Sequence, residues 1–158
     1  MEICGALTPD QWGGQIVTHK YMGPLPAFIY PVFQLMDYGV HGWDIRQGTG
    51  TAHGLAADTA DLLAPFMFIL WQSTTDVPAQ TEPFAVGVRV SGRNAGDYRV
   101  DVSPDGLKYA QGDLSGLPAV IEFDPGSLVL TAFGRINAGT IRGDRDAAER
   151  FLNSFFRI

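Results

Sequence analysis

Phe84-Ala85-Val86-Gly87-Val88-Arg89-Val90 is the stretch at which the chain changes its rhythm. Phe84, Val86, Val88 and Val90 alternate with Ala85, Gly87 and Arg89, so one face of an extended strand is apolar and the other is not. Tyr98, Val100 and Val102 repeat the pattern against Arg99 and Asp101. Between them Ser91-Gly92-Arg93-Asn94-Ala95-Gly96 reads as a turn, as does Ser103-Pro104-Asp105-Gly106 after them. Residues 107–111 and 119–123 give two further strands, and the expectation is an antiparallel meander.

Downstream the period returns to that of a helix. Asp124-Pro125 reads as an N-cap followed by a first helical residue, opening a helix to about Phe133 that Gly134-Arg135 ends. Gly139-Thr140-Ile141-Arg142 reads as a last strand. A final helix from Asp144 places Ala148, Phe151, Leu152, Phe155 and Phe156 on one stripe. Residues 84–158 therefore read as an α+β domain, helices against a sheet.

Upstream, residues 73–83 are polar and interrupted by Pro78, and read as a linker. Before it, Asp58 opens a helix to about Trp71 that Pro65 should kink, with almost no polar face. A helix apolar on nearly every side must be surrounded. A longer helix from about Ala27 or Pro31 to Gln47 precedes it. Gly39 and Gly42 inside that helix each cost roughly 1 kcal/mol against Ala, which points to a close approach of another helix. At the start of the chain, Thr8 as N-cap and Pro9 at the first helical position open a short helix that Gly13-Gly14 ends, and Gly23-Pro24-Leu25-Pro26 breaks the chain.

The longer helix holds a polar cluster, Asp37, His41 and Asp44, whose spacings of four and three put all three side chains on one face. A carboxylate and an imidazole one turn apart can chelate a divalent metal or pass a proton. They can equally hydrogen-bond each other and do nothing further. His19 sits in a polar stretch from which a third ligand could come, His53 lies in a glycine-rich connection, and Trp43 and Tyr38 flank the cluster as packing groups or substrate contacts.

The 158 residues carry a formal charge of −6 and no Lys/Arg cluster, which excludes a nucleic-acid or anionic-membrane surface. The most apolar run, Leu62–Trp71, is half of what a membrane span needs. A single cysteine, Cys4, excludes an internal disulfide framework and fits a reducing cytoplasm.

Asp37-Tyr-Gly-Val-His41-Gly-Trp-Asp44 resembles the E-x-x-x-H-G-W-D helix of the mycothiol-dependent maleylpyruvate isomerase family, within the wider DinB-like metal-binding bundles common in actinobacteria. Leu130-Thr-Ala-Phe-Gly134-Arg135 and Ile141-Arg-Gly-Asp144 resemble that family's C-terminal domain, which is akin to sterol carrier proteins. The resemblance implies residues 1–72 as part of a DinB-like helical region, 73–83 as a linker and 84–158 as the C-terminal α+β domain. It implies zinc or another divalent ion held by His41 and by Asp37, which stands where the family has Glu. It implies mycothiol as a thiol cofactor, and Arg135 as a group facing substrate carboxylates. The family's first helices, with its third metal ligand, would precede residue 1.

Two long helices cannot cover each other's apolar surface, so a homodimer completing a four-helix bundle is expected. Three functions follow as alternatives. One is a maleylpyruvate isomerase-like protein that binds a small molecule through a degenerate or dimer-completed metal site. A second is an active metal- and thiol-dependent isomerase or transferase using His41, Asp37 and Arg135. The last is a metal-free, non-catalytic module with an apolar pocket between the sheet and its helices, taking a ligand or a partner.

Overall fold

The computed structural model describes residues 5–20, 23–51 and 53–156. The fold is α+β, and the chain divides into two compact units, Met1–His53 and Gly54–Ile158. The division falls ahead of residues 57–74, not at the expected linker 73–83. The cause is packing: the apolar helix belongs with the sheet.

In the first unit, α1 (Pro9–Gly14) opens on a reciprocal cap, Thr8 Oγ1 accepting from Gln11 N while Gln11 Oε1 accepts from Thr8 N. A hairpin of β1 (Ile16–His19) and β2 (Gly23–Pro26) follows, in the stretch expected only to break the chain. Ala27 N donates to Gln15 O, which makes 15 and 27 a bonded pair. Antiparallel pairs alternate, so Ile16–Pro26 and Thr18–Pro24 are the unbonded ones, where proline's missing N–H costs nothing. The 20-residue α2 (Ile29–Gly48) takes Pro31 in its first turn.

In the second unit, α3 (Ala57–Leu63), a 3-10 turn (Ala64–Phe66) at Pro65, and α4 (Met67–Thr74) form the kinked apolar helix. Five strands follow: β3 (Phe84–Val90), β4 (Gly96–Ser103), β5 (Gly106–Gln111), β6 (Ala119–Phe123) and β7 (Thr140–Gly143), with α5 (Pro125–Ala132) and α6 (Arg145–Leu152). The spatial order is β5-β4-β3-β6-β7. The expected meander holds for β3, β4 and β5, but β6 crosses back to lie parallel to β3, Val88 opposite Ile121. The crossing chain drops Leu114 over the face of the sheet where Gly87 has no side chain, 3.2 Å from where a Cβ would stand.

Val86, Val88, Val100, Val102 and Ile121 are buried on the other face, beneath Leu63, Met67, Trp71, Leu128, Val129 and Phe151. Phe68 packs against Tyr98 and Tyr109, with ring centroids 4.5 and 4.9 Å away. Trp71 meets Phe151 edge-on and stacks on Phe155. Most of the apolar helix is thus sheltered by its own unit, with Leu62 and Ile69 left exposed, so this helix does not call for the expected homodimer; α2, with only Val40 buried, is not covered in the same way. Residues 73–83 are no free linker either: Asp76 N donates to Ser154 O, and Thr74, Thr75 and Gln80 are buried.

Candidate functional site

Helical spacing does bring Asp37, His41 and Asp44 to one side of α2, as the sequence implies. Asp37 and His41 are both exposed there, and His41 Nδ1 lies 3.2 Å from Asp44 Oδ2. His19, the suggested third ligand, instead lies against Tyr30 and Phe33, with ring centroids 6.0 and 5.7 Å apart. Among the described residues no three His, Cys, Asp or Glu side chains converge as a metal site would require. The donors among the described residues therefore do not fit the zinc that the family resemblance implies, because such sites use at least three protein ligands.

The neighbours of the cluster are placed differently from one another. Trp43 Nε1 donates to the carbonyl of His53 at 3.0 Å, fastening the end of α2 to the following connection. His53 is half-buried, where a surface position was expected. Tyr38 is 76% exposed. Gly42 makes no close approach, since nothing lies within 4 Å of where its Cβ would stand. Cys4 falls outside the described residues.

Arg135 belongs to the second unit and to the end of α5. Gly134, at φ 67°, turns the chain out of the helix; its N–H bonds to Thr131 O, and Arg135 N to Leu130 O. These two bonds form a Schellman cap, which is the physical content of the Leu130–Arg135 pattern. Arg135 Nη1 donates to Phe133 O at 2.8 Å, which uses the guanidinium on the carbonyls of the same helix end.

The interface between sheet and helices, where an apolar pocket was expected, is filled by the buried side chains named above. Among the described residues, hollows lie by the C-terminal end of α5 and along α6. One of about 90 Å³ is lined by Thr131, Ala132 and Gly134 together with Phe155 and Phe156. Another of about 290 Å³ is lined by Gly139, Ile141, Arg145 and Glu149. They share Asn137, Leu152 and Asn153, so the two adjoin. Gly139 lines the larger one: a Cβ there would collide with Ile121 and Phe123, so only glycine lets the chain entering β7 lie so close to the core.

The charges beside this groove neutralise each other. Arg145 Nε donates to Glu149 Oε1 at 2.7 Å, and that bond pushes the arginine pKa up. Asn153, at the C-cap of α6, donates from Nδ2 to Glu149 O and leaves its Oδ1 to accept. A further hollow of about 380 Å³ lies where β3 and β6 end, by Arg89, Glu122 and Asp124. Its charges are engaged too, Arg89 with Asp97 and Glu122, Asp124 with Ser127 as the cap of α5. Sequence reasoning missed the groove because its residues come from separate stretches. The available signal was a pair of carboxamides, Asn153 at the end of α6 beside Phe155-Phe156 and Asn137 five residues beyond α5.

No family model matches the sequence, and no curated protein does. Among solved structures, the chain is similar to the stereoselective inverting sec-alkylsulfatase Pisa1 from Pseudomonas sp., at 13% identity and a TM-score of 0.50. That match covers 58% of this chain and 16% of the other. A double mutant of the sec-alkyl sulfatase PisA1 matches over 87% of this chain and 31% of its own, at 13% identity and a TM-score of 0.48. The chain thus spans less than a third of either, and at this identity the first likeness concerns the fold alone. Among the described residues, no helix is long and apolar enough to cross a membrane.

Proposed function

We propose that this chain is a small-molecule-binding protein of maleylpyruvate isomerase-like type, acting in the cytoplasm, whose ligand site lies in the α+β unit and not at the Asp37/His41 helix. The adjoining hollows between the end of α6 and residues 134–139 carry this reading. They offer an apolar strip from Leu152, with Ile141 on one side and Phe155 and Phe156 on the other, and a rim of amides. Leu152 is half-buried and Phe156 is 53% exposed, so apolar surface remains for a ligand to cover. The metal- and thiol-dependent alternative draws on Asp37 and His41 standing one turn apart, and on Arg135, which belongs to the other unit.

Nuclear magnetic resonance of the labelled full chain, titrated with short alkyl compounds of six to eight carbons, tests this. Saturable shifts of the backbone amides of Leu152, Asn153 and Phe155 are expected. Shifts centred on Tyr38, His41 and Trp43, or no saturable shift at any residue, would overturn it.

A further inference from the structure

Resting on that reading, the charge of the ligand can be inferred from the groove itself. We propose that the ligand carries an uncharged polar group able both to donate and to accept hydrogen bonds, such as a carboxamide or hydroxyl, on a short apolar arm. Asn137 and Asn153 line both hollows and stand where these meet. The exposed Asn137 carboxamide can donate and accept, while Asn153 has its Oδ1 left for a donor. A carboxamide ligand satisfies both at once, N–H to Asn153 and C=O from the Asn137 amide. The shared Leu152 lies next to this point and takes the methylene chain.

A charged head would fare worse. The ionic groups lining the larger hollow are Arg145 and Glu149, already joined at 2.7 Å, and the smaller hollow is lined by none. A carboxylate entering between the amides would give up water without gaining an unengaged cation, and Glu149 would repel it. An ammonium would meet the reverse problem at Arg145. Discrimination against both arises from an uncompensated charge, not from shape.

The experiment compares hexanamide, hexanoate and hexylammonium on the full chain at neutral pH, following the side-chain NH₂ signals of Asn137 and Asn153. Hexanamide is expected to shift both signals and to bind about tenfold more tightly than either ion. In Asn137→Ala the preference should fall to within about threefold with unchanged unfolding temperature. In Glu149→Gln, which releases Arg145, hexanoate should tighten by about threefold, the range of an exposed ion pair. Equal binding of the three compounds would overturn the charge inference while leaving the ligand site standing. So would a preference for hexanoate, or an unaltered hexanoate affinity in Glu149→Gln. Failure of all three to bind saturably would overturn both.

Discussion

The helix α2 in the first unit and the kinked helix of residues 57–74 in the second have comparable supplies of large apolar side chains, yet they end differently. Of the 20 residues of α2 only Val40 is buried, while Tyr38 and Ile45 stand out into solvent. Residues 57–74 bury Ala60, Leu63, Ala64, Met67, Phe68 and Trp71. The difference lies in what each helix meets. A five-stranded sheet offers a broad apolar face, and a two-stranded ribbon such as β1–β2 does not. Apolar content of a helix therefore says how much surface needs cover, and the neighbouring architecture decides whether the cover is found in the same chain.

The sharpest way to break this comparison is to truncate one large side chain in each unit. Phe151→Ala removes a ring buried against Trp71 and Phe155, and should cost about 3–5 kcal/mol. Ile45→Ala, at a residue 68% exposed, should fall within about 0.5 kcal/mol of the parent. Urea unfolding followed by Trp fluorescence measures both. Equal losses would mean that α2 has a partner in solution that the single chain does not supply.

The same contrast explains what could be read from the residues alone. Period-two alternation in 84–90 and 98–102 fixes strands wherever one face is covered, and the second unit follows those patterns nearly residue for residue. Alternation carries no direction, however, so the return of β6 to β3 stayed hidden; its mark was Gly87, bare beneath Leu114. The hairpin before α2 stayed hidden because Pro24 and Pro26 signal a break, and only the register shows that both fall on unbonded pairs. At the candidate sites the lesson is similar. The spacing of Asp37, His41 and Asp44 is local and legible, but a metal needs ligands from elsewhere, and the groove around Leu152 is assembled from separate segments that no window of sequence brings together.

A smaller effect refines the account of the second unit, where Asp124 and Asp144 cap the starts of α5 and α6. Asp124 caps α5, its Oδ1 accepting from Ser127 N at 3.0 Å and its Oδ2 engaging the Ser127 hydroxyl. Burial alone would raise its pKa, but the hydrogen bonds from Ser127 and Gly126 outweigh it and the carboxyl is held below its ordinary value. A depressed folded-state pKa contributes stability that is fully present above the unfolded value, about 3.9, and is lost as pH falls through the folded one. Asp124→Ala should thus cost about 1 kcal/mol at pH 7, and the gap to the parent should shrink below about pH 4. Denaturant midpoints at the two pH values check it, and a constant gap would show that the cap does not depend on ionisation.

The smallest effect has the opposite sign and returns to α2. In a helix packed on one side, a glycine can be kept because a neighbour needs the room; in a helix with little cover it is simply an expense. Gly42 stands with no atom within 4 Å of its missing Cβ and with helical neighbours on both sides. Alanine at this position loses less backbone entropy on folding and meets no obstacle, so Gly42→Ala should raise the stability of α2 by about 0.5–1 kcal/mol. Hydrogen exchange of the α2 amides reads this locally, where a global unfolding curve dominated by the sheet would dilute it. Slower exchange across 38–46 is the expected result. Faster exchange would mean that Gly42 has a close neighbour in solution, and α2 would then resemble the covered helix of the second unit after all.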